Sequence, residues 1–239
     1  MRLRVRVAMK DTFFSDAFAT MPPEERELYR MTVIMNMPSE YAEELRVRYY
    51  RGLLRHAGQN IKIGCGVKIV NPQWISLGDG VVISDRCTLI ARGEGGITLG
   101  DGVRLMEGVY LDTERPDGYI NIGNNTYIGT NSVLHGHSGL EIGDDCLLAQ
   151  NITITPYQHI FDDPALLIRE QGGHTRKVTI GRDSYIGMCV TVLWSADIGE
   201  GSVIGASSTV THPIPPYSVA VGTPARVIRK RGEPKQNRQ

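Results

Sequence analysis

An all-β coil of very short parallel strands, three to a turn, is the fold class that this 239-residue sequence predicts. Three observations predict it. Aliphatic residues recur at a spacing of six, most cleanly through Ile180, Ile186, Val192, Ile198, Ile204 and Val210. A start signal of an aliphatic residue, a glycine and polar residues keeps returning: ISLGDG from Ile75, ITLGDG from Ile97, INIGNN from Ile120, LEIGDD from Leu140 and VTIGRD from Val178. The extra residues between these signals all fall after the third hexad of a turn. A period of six matches neither the 3.6 of a helix nor the 2 of an alternating strand, whereas three hexads closing one turn of a triangular β-helix satisfy it.

Taken in chain order, residues 1–59 are expected to form an N-terminal helical segment. PPEERELYRMTVIM, 22–35, places prolines at a helix start and glutamates in its first turn. SEYAEELRVRYYRGLLRHAG opens on Ser39, a capping residue, runs to Gly58, and spaces Tyr41, Leu45, Tyr49 and Leu53 by four. These two helices are expected to cap the open end of the coil. The coil itself spans 60–212, with Ile63 and Ile69 as an incomplete first turn. The inward positions then follow in threes: Leu77, Ile83 and Leu89; Leu99, Leu105 and Leu111; Ile122, Ile128 and Leu134; Ile142, Leu148 and Ile154. Glycines are expected at corners whose φ is unfavourable to other residues. Residues 213–239 form a short C-terminal extension with a basic tail, of which 232–239 are expected to fray.

Lysine plus arginine and aspartate plus glutamate are equal at 26 each, so no overall charge draws the chain to nucleic acid or an anionic membrane. The first residues alternate charge without a continuous apolar core, and no apolar run is long enough to span a bilayer. A cytoplasmic protein is expected. Cys65, Cys87, Cys146 and Cys189 are scattered without a metal-ligand spacing, so free thiols are expected, with Cys87 and Cys146 at inward positions.

The insertions stack on one corner of the prism: ARGEGG at 91–96, DTERPDG at 112–118, HGHSG at 135–139 and a long loop over 156–177. Loops on a rigid scaffold commonly carry function. In that long loop the alternation of NITIT gives way to PYQHIFDDP and presents His159, an imidazole able to take a proton near neutral pH. Glu170 lies in the same loop as a carboxylate that would orient it. His135 and His137 share the corner one turn earlier, and alternation across HGH is expected to send their rings apart. Three histidines on a β-helix also admit a zinc site like that of the γ-class carbonic anhydrases, and the scaffold alone admits a non-catalytic assembly role.

Two stretches, IGDDCLLAQNITITPYQH (142–159) and TIGRDSYIGMCVTVLWSADIGEGSVIGASSTVTHPIPPYSVAVGTPARVIRKR (179–231), are where the sequence resembles the hexapeptide-repeat acyltransferases. The branch is that of the sugar O-acetyltransferases, including galactoside and maltose acetyltransferases and enzymes of surface-polysaccharide biosynthesis. The resemblance implies a left-handed coil, a homotrimer with active sites between subunits, acetyl-CoA as acyl donor without a metal, and a sugar hydroxyl as acceptor. It implies that His159 deprotonates that hydroxyl, which attacks the thioester directly. For coenzyme A it points to Met188 (through its backbone), Ala206, Thr211, Arg226 and Arg229, the arginines facing phosphates. Trp194 and Tyr185 would wall the thioester pocket. Where galactoside-type relatives carry an acceptor-binding asparagine and aspartate, this sequence has Gly129 and His137, with Asn131 two residues away. Asn131 and His137 are the acceptor candidates, and the galactoside itself is in question.

Overall fold

The computed structural model describes residues 20–233, so the start of the N-terminal segment and most of the expected frayed tail lie outside the described residues. Strands wind into a three-sided coil whose faces are parallel sheets. The first face begins at His56–Ala57 and continues through Ile75–Leu77, Gly96–Leu99, Tyr119–Ile122, Leu140–Ile142 and Val178–Ile180. The second carries Lys62–Ile63, Val82–Ile83, Arg104–Leu105, Tyr127–Ile128, Leu147–Leu148, Tyr185–Ile186 and Val203–Ile204. The third carries Lys68–Val70, Thr88–Ile90, Tyr110–Asp112, Val133–His135, Thr153–Ile154, Thr191–Val192 and Thr209–Val210.

The inward residues read from the sequence are the ones that stack. Leu77 lies beside Leu99, then Ile122, Ile142 and Ile180. Ile83 continues through Leu105, Ile128, Leu148, Ile186 and Ile204. Leu89 continues through Leu111, Leu134, Ile154, Val192 and Val210. None of these is more than 3% exposed, so the hydrophobic interior is one continuous column. The first turn is not incomplete: Ala57 pairs beside Leu77 and supplies its first face.

The returning glycine-polar signal has a physical explanation at the corner between the first and second faces. A Cβ on Gly78 would collide with the Asp101 carboxylate of the next turn. That carboxylate accepts the Asp79 N–H at 2.7 Å, and Asn124 and Asp144 repeat the contact with Asp101 and Asn124 in turn. The third residue of the signal takes the left-handed conformation, as glycine at Gly80 (φ 66°) and Gly102 (φ 67°) but as Asn125, Asp145 and Asp183 later. Glycine fits these corners as expected, and short polar side chains share them because they also tolerate that conformation.

Two helices close the start of the coil. The first, α1, spans Pro23–Asn36 with proline in its opening turn. The second, α2, spans Glu40–Arg51, with the Ser39 hydroxyl accepting the Ala42 N–H at 3.2 Å. It stops before the expected Gly58, because the chain already joins the first face at His56. Its buried face is not the row of Tyr41, Leu45, Tyr49 and Leu53 spaced by four. Ala42, Arg46 and Tyr50 are buried instead, while Tyr41, Tyr49 and Leu53 are exposed. Arg46, 2% exposed, decides the orientation. Its guanidinium donates to the carbonyls of Ile63, Ile34 and Met37 and so ties both helices to the coil.

At the other end, Ser218–Val221 extends the second face in parallel with Val203–Ile204, and Arg226–Lys230 folds back antiparallel onto it. Among the described residues no helix is long and apolar enough to cross a membrane.

Candidate active site

The corner between the third and first faces carries every insertion, and successive turns place their polar residues along it. Its base is Asp112, the last residue of Tyr110–Asp112, whose side chain is 0% exposed. Arg92 from the preceding turn grips it with two bonds of 2.8 and 2.6 Å. The Tyr110 hydroxyl donates to it at 3.0 Å and the Glu114 N–H at 2.7 Å. Burial pushes this carboxyl up, but the Arg92 fork, the backbone N–H and the phenol together hold it below the usual aspartate value. A buried charge with all these donors is satisfied and fixes the path of the insertion that follows.

Two residues on, the Glu114 carboxylate sits 2.8 Å from Nδ1 of His135 in the next turn, close enough for an ion pair but out of line for a hydrogen bond. The His135 and His137 rings lie edge to face with centroids 5.8 Å apart, so the expectation that alternation would send them apart is corrected. The reason is local: the strand ends at His135 and the chain turns at Gly136, with His137 at φ 32°, which swings the second ring back over the first. His137 Nδ1 is buried without a partner among the described residues, and burial depresses that imidazole's pKa, keeping the ring neutral near pH 7.

The break in the alternating pattern after Thr155 is a β-hairpin. Tyr157–His159 pairs antiparallel with Gly173–Thr175, matching Tyr157 to Thr175, Gln158 to His174 and His159 to Gly173. Two ion pairs fasten its return strand to the coil, Arg176 to Asp197 at 2.5 Å and Lys177 to Glu141 at 3.1 Å. His174 stacks on Trp194 at 5.4 Å. Tyr157 and His159, two apart in one strand, point to the same side. The Tyr157 ring stands edge-on between His137 (4.9 Å) and His159 (4.8 Å), and its hydroxyl lies 3.2 Å from His159 Nδ1. His159 is exposed, so its ring is open to a small molecule at the corner.

The other sequence candidates fall in different places. Glu170 is exposed in the 3-10 turn Ile168–Glu170, and among the described residues its side chain makes no hydrogen bond. The group in contact with the imidazole is Tyr157. Asn131 sits in the left-handed conformation (φ 57°) on the corner between the second and third faces, across the third face from His137. Met188, 51% exposed, and Ala206 occupy that same corner in successive turns, joined by the Ser207 N–H donating to the Met188 carbonyl at 2.9 Å. Thr211 ends the third face at the insertion corner and contacts His212 Nδ1 at 2.8 Å. Arg226 and Arg229 lie on the last strand.

All four cysteines are free thiols. Cys87 and Cys146 are buried in the column, where burial pushes the Cys87 thiol up to about 11, and Cys189 is exposed. Among the described residues no group of three or more histidine, cysteine or acidic side chains converges to hold a metal ion.

A family model described as "Hexapeptide repeat of succinyl-transferase" matches three stretches, residues 75–113, 119–156 and 177–212. Over those residues the chain has the hexapeptide-repeat fold. It is 38% identical over 115 residues to a probable acetyltransferase of Mycobacterium tuberculosis, an alignment covering 48% of this chain and 38% of that protein. It is 38% identical over 112 residues to the galactoside O-acetyltransferase of Escherichia coli, covering 46% of this chain and 54% of that one. The chain thus spans about half or less of the length of the curated relatives it matches. Among solved structures, AntD, an N-acyltransferase from Bacillus cereus in complex with dTDP and 3-hydroxybutyryl-CoA, shares the fold. The TM-score is 0.55 at 23% identity, over 82% of this chain and 91% of AntD.

Spacing alone did not single out Tyr157, Asp112, Arg92 or the Glu114–His135 pair. For Tyr157 the signal was present: a residue two before His159 in an extended segment must share its side. For Asp112 it was the chain position, the first residue of an insertion.

Proposed function

We propose that this protein transfers an acetyl group from acetyl-CoA to a hydroxyl of a sugar or sugar-containing small molecule, with His159 as general base. The observation that carries the reading is the hairpin at the insertion corner, which holds an exposed imidazole against a phenol on a rigid coil. A hydroxyl is a poor nucleophile near neutral pH, and an imidazole able to accept its proton during attack supplies what the reaction needs. The names of the curated relatives, an acetyltransferase and a galactoside O-acetyltransferase, support the same class.

The reaction on this reading passes through a ternary complex: among the described residues the side-chain partner of the exposed Cys189 is the Asn151 amide, which cannot act as the base an acyl-carrying thiol needs. Met188 and Ala206 border the furrow for the pantetheine arm, Arg226 and Arg229 face the phosphates, and His137 and Asn131 contact the acceptor. Asn131 and the hairpin lie on different corners of one chain, so a shared site requires two copies. This favours an oligomer, and the resemblance to the sugar O-acetyltransferases points to a homotrimer with its sites between subunits. The outward apolar residues Leu147 and Tyr185, neighbours on the second face, and Phe161, Leu166, Leu167 and Ile168 on the hairpin tip are surface that such an assembly would cover. The four free thiols suit the cytoplasm.

The reading is tested by incubating the chain with acetyl-CoA and a panel of neutral, acidic and amino sugars while following thiol release. Release that depends on one class of hydroxyl-bearing acceptor is the expected result. Release no faster with any acceptor than by hydrolysis, together with no binding of coenzyme A, would remove it.

A further inference from the structure

We infer that Tyr157 is a positioning residue for His159, selecting the imidazole tautomer in which Nδ1 carries the proton and Nε2 is free to act as the base. The inference rests on the assignment of His159 as base. A neutral imidazole has one donor and one acceptor nitrogen, and only the acceptor can take a proton from a substrate hydroxyl. Which nitrogen that is depends on the partner of the other. Here the partner is a phenol rather than a carboxylate or carbonyl, and a phenol can either donate or accept.

The role assigned to His159 resolves the choice. The Oη to Nδ1 separation of 3.2 Å is a hydrogen-bond contact that either group could donate. A base at Nε2 leaves the proton on Nδ1, so on that assignment Nδ1–H donates to the phenol oxygen. When Nε2 takes the substrate proton, the imidazolium keeps that bond, so no regrouping is needed as charge develops.

The ring of Tyr157 is itself held in place. His137 packs its edge at 4.9 Å on one side. On the other it lies against the backbone of Gly173, directly across the hairpin from His159, where any Cβ would collide with the phenol. Glycine at 173 is thus required by the ring rather than by backbone conformation, since Gly172 and not Gly173 is the hairpin residue with positive φ. The hairpin as a whole reads as a clamp: Gly173 leaves the space, the ring of Tyr157 fills it, and the phenol oxygen fixes His159.

Two variants separate the parts. Tyr157→Phe keeps the ring and deletes the acceptor, while Gly173→Ala keeps the hydroxyl and displaces the ring. The first readout is the tautomer, taken from the ¹⁵N shifts of the His159 ring at about pH 8, above the ordinary imidazole pKa. The wild type is expected to show the Nδ1–H form, and both variants a shift towards Nε2–H. The second is kinetic: each variant is expected to lower kcat about tenfold or more with KM for acetyl-CoA within about twofold, the mark of a misassigned tautomer.

A wild-type His159 in the Nε2–H form would overturn the inference, and so would a Tyr157→Phe enzyme that turns over as fast as wild type. Because the tautomer is read without substrate, failure of the acyl-transfer reading leaves that result standing and is recognised separately, by an inactive wild type.

Discussion

His159→Ala is expected to lower turnover at least a hundredfold while affinity for coenzyme A stays near wild type. General base catalysis typically contributes about 10²–10⁴, and alanine removes the only atoms of this residue that can accept the proton. The substitution should leave the fold intact: the residue is exposed at the loop end of a hairpin whose register depends on backbone pairing and on the Arg176 and Lys177 ion pairs. Loss of kcat without loss of donor binding is the pattern of a group that acts in the transition state and not in uniform binding. Steady-state kinetics on a good acceptor, with calorimetric titration of coenzyme A, decide it. Equal rates for the two proteins would remove the base from His159 and leave His137 or His174 as the imidazoles to examine.

Asp112→Asn is expected to cost about 2–4 kcal/mol of stability and to lower Tm by roughly 5–15 °C. The side chain is 0% exposed and accepts four hydrogen bonds, so the neutral amide cannot serve both the Arg92 fork and the Glu114 N–H. Arg92 is 44% exposed and recovers water, which keeps the loss near the lower side of what a broken buried pair costs.

The pH dependence has a definite sign. The folded pKa of Asp112 is depressed below the unfolded value, about 3.9. The unfolded chain therefore binds its proton first as pH falls, so the stabilisation is complete above about pH 4 and is lost as pH drops through the folded value. Thermal melts of the two proteins should differ fully at pH 7 and converge as pH is lowered towards 2. A difference that stayed constant over that range would show that the charge of Asp112 is not what stabilises the corner.

The coil was legible because its determinants are local and repeated. Each inward residue, from Leu77 to Val210, is specified by its own hexad, and one error in register would have displaced every later one. The helices were legible in type but not in facing. The four-residue spacing of Tyr41, Leu45, Tyr49 and Leu53 suggested a face, yet the carbonyls at the coil entrance call for a donor, and Arg46 turns the helix towards them. That is a tertiary demand with no trace in an apolar count.

At the site, the corner could be located from the insertions, and His159 from the break in alternation. The contacts within it could not, because they join turns separated by tens of residues: Tyr157 to His137, Asp112 to Arg92, Glu114 to His135. The long loop resisted most. Glu170 and Tyr157 were both within reach of His159 along the chain, and only the hairpin register shows which one meets it.

A crystal structure of the chain with coenzyme A bound tests the central claim most directly. The account predicts three copies about one axis, the pantetheine arm along the furrow edged by Met188 and Ala206, and the sulfur at the hairpin of an adjoining corner, within hydrogen-bond reach of His159 Nε2 or one water away, about 3–6 Å. Coenzyme A bound elsewhere, with the His159 ring facing open solvent and no neighbouring copy beside it, would contradict the account.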